Sequence, residues 1–256
     1  MKMTQNTILI TGGGSGIGRA LAEAFHALGN SVVIAGRGKA RLDQTTAANP
    51  GMKSMTLDIG KIETLRSFAT AVASEYPALN VVIQCAGMMI PENLLNPKDT
   101  LGADESTIVT NLLGPIRLTT ELLPLLRKQL HSTVMTVSSG LAFLPLAMTP
   151  TYCATKAAIH SYTQSLRHQL RDTSVEVIEI IPPYVQTELM GSHQASDPRA
   201  MPLGEYIAET MELLKSDPTP AEILVKRVYP LRFAAADGNE KYEAAFKGFN
   251  DAYNAV

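Results

Sequence analysis

Tyr152 and Lys156 stand four residues apart, a spacing that puts both side chains on one face of a helix. A free tyrosine, with a pKa near 10, exchanges protons poorly at neutral pH. An ammonium beside it stabilises the phenolate and brings the hydroxyl toward the range useful for acid/base work. Alone, Tyr-x-x-x-Lys is a common surface pair. Ser139 makes it more specific, because it lies 13 residues upstream, where Val137-Ser138-Ser139 reads as the close of a strand. A structural cap on the following turn is the plain alternative for Ser139, and Ser138 would serve that purpose equally well.

A second group of residues has the chemistry of a phosphate cradle. Thr11-Gly12-Gly13-Gly14-Ser15-Gly16-Ile17-Gly18 follows a short apolar run and opens an amphipathic stretch. Glycines there let the backbone turn tightly and approach a pyrophosphate, whose charge the helix N-terminus favours. The spacing is Gly-x-x-x-Gly-x-Gly rather than Gly-x-Gly-x-x-Gly. A flexible turn also explains the glycines, but their place between strand and helix argues for a dinucleotide. The next strand ends Ile34-Ala35-Gly36-Arg37, with no acidic residue for the adenosine ribose hydroxyls. Gly36 leaves room and Arg37 offers a planar fork that matches a phosphate, which points to NADP; a solvated loop cation is the alternative.

These residues need a scaffold, and the sequence supplies one by alternation. Short β-branched runs at Thr7–Thr11, Ser31–Ala35, Lys53–Leu57, Asn80–Cys85, Thr133–Val137 and Val175–Ile181 are separated by helix-length stretches. Gly16–Leu28 carries an apolar face and stops at Gly29, a C′ residue. Asp104–Lys128 is long and Leu-rich, and Tyr152–Arg171 repeats apolar residues at i+4 steps. Strands apolar on both faces between helices predict an α/β, doubly wound parallel sheet of six or seven strands, helices on both faces, in one domain over 1–256. After Pro182-Pro183 the pattern lapses, and residues 183–215, including a helix over Leu203–Lys215, are expected to form a substrate lid. Residues 219–256 read as helices, with Phe246, Phe249 and Tyr253 at helical spacing and no final strand.

Composition bounds the rest. The 256 residues carry 22 Lys+Arg against 24 Asp+Glu, a net charge of −2, which excludes a generally basic nucleic-acid or membrane-surface binder. A 45% hydrophobic and 18% charged chain can bury a large core or a subunit interface. Cys85 and Cys153 form no metal-ligand pair and read as reduced thiols. His26, His131, His160, His168 and His193 form no metal set, so no metal site is expected. The opening residues lack the apolar run of a secretory signal or a membrane span, so a soluble, cytoplasmic protein is expected.

Taken in order, Thr11–Gly18, Asp58, Cys85-Ala86-Gly87, Asn111, Ser139, Tyr152-x-x-x-Lys156 and Pro182–Thr187 resemble the short-chain dehydrogenase/reductase family over residues 5–190. The resemblance implies a Rossmann fold of about 250 residues and a nicotinamide cofactor that carries a hydride. It implies Tyr152 as general acid/base, Ser139 on the substrate carbonyl oxygen, Lys156 on the tyrosine and the nicotinamide ribose, and Asn111 on a water in the proton relay. Cofactor contacts are implied for Gly12, Ser15, Gly16, Ile17, Gly18, Arg37, Asp58, Ile59, Cys85, Ala86, Gly87, Pro182, Val185 and Thr187. Met89, Phe143, Tyr184, Leu189 and Met190 fall on segments expected to ring the substrate, and a hydrophobic, uncharged ketone or aldehyde suits such an adaptable surface.

The sequence departs from the family where Asn-Asn-Ala-Gly reads Gln84-Cys85-Ala86-Gly87 and where Pro-Gly reads Pro182-Pro183. The run Pro182–Thr187 and the opening residues are similar to a subset named for D-alanine transfer operons, a name from gene neighbourhood that says little about substrate. The expected activity is NADPH-dependent carbonyl reduction. The alternatives are oxidation of a secondary alcohol by NADP and a nicotinamide sensor without turnover. With the family's last strand missing, a homodimer through the two long helices is preferred over a tetramer.

Overall fold

In a computed structural model, which describes residues 1–95 and 102–254, seven parallel strands form one sheet in the order β3-β2-β1-β4-β5-β6-β7. The chain runs β1 (Thr7–Thr11), α1 (Gly16–Ala27), β2 (Ser31–Gly36), α2 (Lys39–Ala48), β3 (Lys53–Thr56), α3 (Ile62–Glu75) and β4 (Val81–Gln84). It continues through α4 (Ala103–Ile108), α5 (Gly114–Leu126), β5 (Ser132–Val137), α6 (Pro150–Leu170) and β6 (Val175–Ile180). The last elements are α7 (Leu203–Leu214), β7 (Glu222–Ile223), α8 (Tyr229–Arg232) and α9 (Asn239–Asn254).

Alternation within the strands builds both faces at once. Ile8 and Ile10 of β1 pack with Leu21 and Phe25 of α1 and with Tyr206 and Leu214 of α7. Leu9, between them, points to the opposite face, where it joins Leu65 and Phe68 of α3, Leu118 and Leu122 of α5 and Leu166 of α6. Helix α1 stops where expected: Gly29 has φ +82, and the N–H groups of Gly29 and Asn30 donate to His26 O and Phe25 O. The chain order reverses across β1, whose Thr11 pairs with Ala35 on one side and Gln84 on the other. The crevice at the carboxyl ends of β1 and β4 is therefore the place where such sheets hold ligands.

Three expectations are corrected. A final strand exists: Glu222 and Ile223 pair with Glu179 and Ile180 of β6. Two residues are too few to show a pattern of period two, which is why the sequence read as helix there. Helix α7 is not part of a lid, because Tyr206, Met211 and Leu214 are buried in the core against α1. Val185 and Met201, in the segment before α7, belong to the same buried cluster. The long helix through Asp104–Lys128 is interrupted, with Val109–Leu113 forming a π-helical turn between α4 and α5.

Candidate functional site

The glycine loop sits at the reversal point because only glycine fits there. A Cβ on Gly12, at φ +72, would lie 2.9 Å from Ala86 Cα, and one on Gly18 would lie 2.4 Å from Gly12 O. Thr11 Oγ1 accepts from the N–H groups of Cys85 (3.2 Å) and Ala86 (3.1 Å), fastening the segment after β4 to β1. Ser15, Gly16, Ile17 and Gly18 line a cleft of 530 Å³. The first turn of α1 holds no acidic residue, which suits an anion at its positive end. Gln84, in place of a family Asn, braces β4 by donating to Thr119 Oγ1 of α5 at 2.6 Å.

Ser139, Tyr152 and Lys156 meet at the other end of this cleft. Ser139 Oγ accepts from Leu141 N (3.1 Å), capping a 3₁₀ turn over Gly140–Ala142, and its side chain favours ionisation of the neighbouring Tyr152. Lys156 Nζ donates to Val137 O at 2.8 Å and lies 5.5 Å from the centre of the Tyr152 ring. The N-terminus of α6 is held by Glu92, whose carboxylate accepts from Thr151 N (3.0 Å) and Thr151 Oγ1 (2.8 Å).

Burial dominates the electrostatics here. It pushes Tyr152 well above its ordinary value, and Ser139 pulls it only partly back. Burial also lowers Lys156 to about 8, against smaller opposing effects of Cys85 and Glu179. Burial is the largest cause for both groups. Asn111 lies on the π turn and ties elements together: its side chain accepts from Met88 N (2.9 Å) and donates to Met88 O (2.8 Å) and Thr155 Oγ1 (3.2 Å). Gly87 lies between Asn111 and Lys156.

Cys85, Gly87 and Met89 line the cleft, as do Pro182, Tyr184, Val185, Thr187, Leu189 and Met190. Burial raises the Cys85 thiol to about 11, which makes it a poor nucleophile. The segment after Pro182 is folded rather than loose: Tyr184 Oη donates to Asp197 Oδ2 (3.1 Å), and Gln194 Nε2 donates to Val185 O (2.8 Å) and Thr187 Oγ1 (3.0 Å).

Six of the sequence-selected residues do not line this cleft: Arg37, Asp58, Ile59, Ala86, Asn111 and Phe143. Arg37 is exposed at the end of β2, while Arg41, one turn further on, is in the lining and approaches Glu188 at 3.5 Å. Asp58 accepts from Gly60 N (3.1 Å), and Ile59 packs in the core. Phe143, expected beside the substrate, packs edge-on against His160 (4.6 Å between ring centres) with the Arg232 guanidinium 4.4 Å from its ring centre.

Sequence reasoning did not select Arg41, Leu146, Met148, Arg199, Phe249 or Tyr253, all of which line the cleft. The helical spacing of Phe249 and Tyr253 was a signal for a packed face, not for what it faces. His160 also proves less isolated than its place in the sequence indicates. It bonds the buried Glu179 (2.8 Å), and the ligating atoms of His160, Glu179 and Glu222 lie within 4.8 Å of one another. The Arg232 guanidinium already occupies Glu222 through two bonds, at 2.8 and 3.0 Å.

The donor set suits a dinucleotide. The glycine cradle has no room for a Cβ at Gly12 or Gly18, and the buried Ser138 Oγ, in the cleft wall, has no partner among the described residues. Residues 6–198 match the family model of the short chain dehydrogenases. The chain is 39% identical to the uncharacterized oxidoreductase DltE of Bacillus subtilis (strain 168), over 99% of this chain and 100% of that one. Among solved structures it is similar to a short chain dehydrogenase of Burkholderia cenocepacia J2315 in complex with NADP (21% identity, TM-score 0.82, 96% and 99% of the two chains). A short-chain dehydrogenase from Streptomyces avermitilis is similar at 24% identity, with a TM-score of 0.81 over 98% and 99%.

Proposed function

This chain belongs to the short-chain dehydrogenase family, and from that premise we propose that it is an NADPH-dependent carbonyl reductase acting on a ketone or aldehyde. The observation that carries the reading is the meeting of Ser139, Tyr152 and Lys156 at the end of a glycine-floored cleft. Gly12, Ser15, Gly16, Ile17, Gly18, Cys85, Gly87, Pro182, Val185 and Thr187 would hold the cofactor, which when bound supplies the hydride.

The chain's own residues handle the oxygen and one proton. Ser139 and Tyr152 aim hydroxyls at the carbonyl oxygen, where negative charge develops. Tyr152 is a neutral phenol at neutral pH, so it has a proton to give to the carbonyl oxygen. Lys156 stands close enough to steady the phenolate left after that transfer. Asn111 acts as a positioning residue that fixes Met88 and α6. Turnover of NADPH with a panel of ketones and aldehydes tests the reading; binding of NADPH without any turnover would favour a sensor instead.

Preference for the 2′-phosphate is assigned to Arg37 and Arg41 together, since β2 ends without an acid, Arg37 follows it directly and Arg41 of α2 lines the cleft. The Burkholderia neighbour's NADP agrees with this choice. Each Arg→Ala replacement is expected to lower the ratio of kcat/KM for NADPH over NADH by about 10-fold, the size of one charge-assisted hydrogen bond. An unchanged ratio in Arg37→Ala would leave the task to Arg41 alone. A homodimer across α5 and α6 belongs to the same proposal, because Leu123 of α5 and Tyr162 of α6 line a shallow groove between the two helices. Light scattering at micromolar concentration is expected to give twice the chain mass, and a monomer would remove this part.

A further inference from the structure

We propose that α9 selects the substrate: Phe249 and Tyr253 form the wall of a sleeve that takes uncharged carbonyl compounds with a flat apolar body, aryl ketones foremost. The inference rests on the reductase reading and names the substrate class of that site. Helix α9 turns one stripe inward, Tyr242, Phe246, Phe249, Asn250 and Tyr253, while the residues between them are exposed. Two of these reach the cleft that holds Tyr152. The Phe249 and Tyr253 rings meet edge-to-face with centres 5.2 Å apart. They pack on the apolar cluster of Met89, Leu146, Tyr152 and Cys153, together with Met148 and Met190. Aromatic edges and thioethers form a surface suited to a planar ring and adaptable in shape.

The position of this wall is set by a buried amide. Asn250 is 7% exposed. Its Oδ1 accepts from Ala147 N (2.6 Å), and its Nδ2 donates to Pro145 O (3.1 Å) and Phe246 O (2.9 Å). This pins the last turns of α9 to the segment that leads into α6, so the wall and Tyr152 are referenced to the same backbone. Asn250 is therefore a positioning residue, and Phe249 and Tyr253 determine specificity.

The arginines around the sleeve are already paired with carboxylates. Arg199 lies 5.2 Å from the Tyr253 ring centre and makes bonds of 2.8 to 3.2 Å to Asp197, whose carboxyl it holds far below the usual carboxylate range. Glu188 is the one carboxylate among the described lining residues, and Arg41 faces it. Lys156 is buried and bonded to Val137 O. A charged substituent entering the sleeve would have to break one of these pairs or remain uncompensated.

Acetophenone, propanal and benzoylformate separate the possibilities, with NADPH consumption, NADPH affinity and melting temperature measured for the wild type, Phe249→Ala and Tyr253→Ala. The wild type is expected to prefer acetophenone over benzoylformate, in which a carboxylate replaces the methyl group. In each variant the ratio of kcat/KM for acetophenone over propanal should fall by about 10-fold, mainly through KM, with NADPH affinity retained. Asn250→Ala should shift the ratio the same way, and Asn250→Asp, which keeps the acceptor for Ala147 N–H, should restore part of it. An unchanged ratio in both aromatic variants, or faster benzoylformate reduction, would overturn this inference and leave the reductase reading standing. Reduction of none of the three by a wild type that binds NADPH would overturn the reading itself, and the inference with it.

Discussion

Replacing Tyr152 by Phe is expected to lower NADPH-dependent carbonyl reduction by at least about 100-fold while NADPH binding is retained, since positioned acid/base groups supply roughly 10²–10⁴-fold. The substitution removes one oxygen from a ring that is 6% exposed and packed among Met89, Leu146 and Cys153, so the shape of the site survives. What is lost is the hydroxyl proposed as the proton donor. Ser139 keeps its bond from Leu141 N, so the 3₁₀ turn after β5 should stay in place. Steady-state rates beside a fluorescence titration of NADPH check both halves. Unchanged turnover would remove Tyr152 from the chemistry, and lost NADPH binding would mean that the ring shapes the cofactor site instead.

Lys156→Met is expected to trade activity for stability. Turnover should fall by about 100-fold or more, because the cation beside the phenol is gone. Stability should change in a pH-dependent way with a definite sign. Lys156 titrates at about 8 in the folded protein, against 10.5 for an ordinary lysine, because burial disfavours the ammonium. Between those two values the unfolded chain holds more protons than the folded one, so wild-type stability gains from rising pH, by on the order of 3 kcal/mol across the window. The methionine variant lacks this contribution. Relative to the wild type, it should therefore be most favoured below pH 8 and lose that advantage as pH rises toward 10.5. Its absolute gain is reduced by the loss of the bond to Val137 O, which leaves a buried carbonyl without its lysine partner. Chemical denaturation of both proteins at several pH values gives the difference directly. A difference that does not vary with pH would mean that Lys156 keeps its ordinary titration.

Local chemistry was legible without coordinates. The β-branched runs and the glycine punctuation place β1 to β6 within a residue or two of their observed limits, because strand and helix periods differ and Gly29 has to end α1. The glycine loop and Tyr152-x-x-x-Lys156 were legible for a similar reason: their function depends on backbone room and on one helical turn, both of which are local. Chain positions alone did not reveal groupings made by packing. Glu92 caps α6 across 59 residues, and Asn250 reaches Pro145 across 105. Arg41 enters the cleft where Arg37 does not, because the turn of α2 decides which cation faces it.

The sequence by itself determined the parallel sheet, the glycine loop and the identity of the hydroxyls and the ammonium, since these follow from periodicity, glycine sterics and helical spacing. Tertiary structure alone decided the protonation tendency of Tyr152 and Lys156 and the composition of the substrate wall. Burial depends on what every other element places around a group, and Phe249 comes to Tyr152 only after the sheet and α9 have packed.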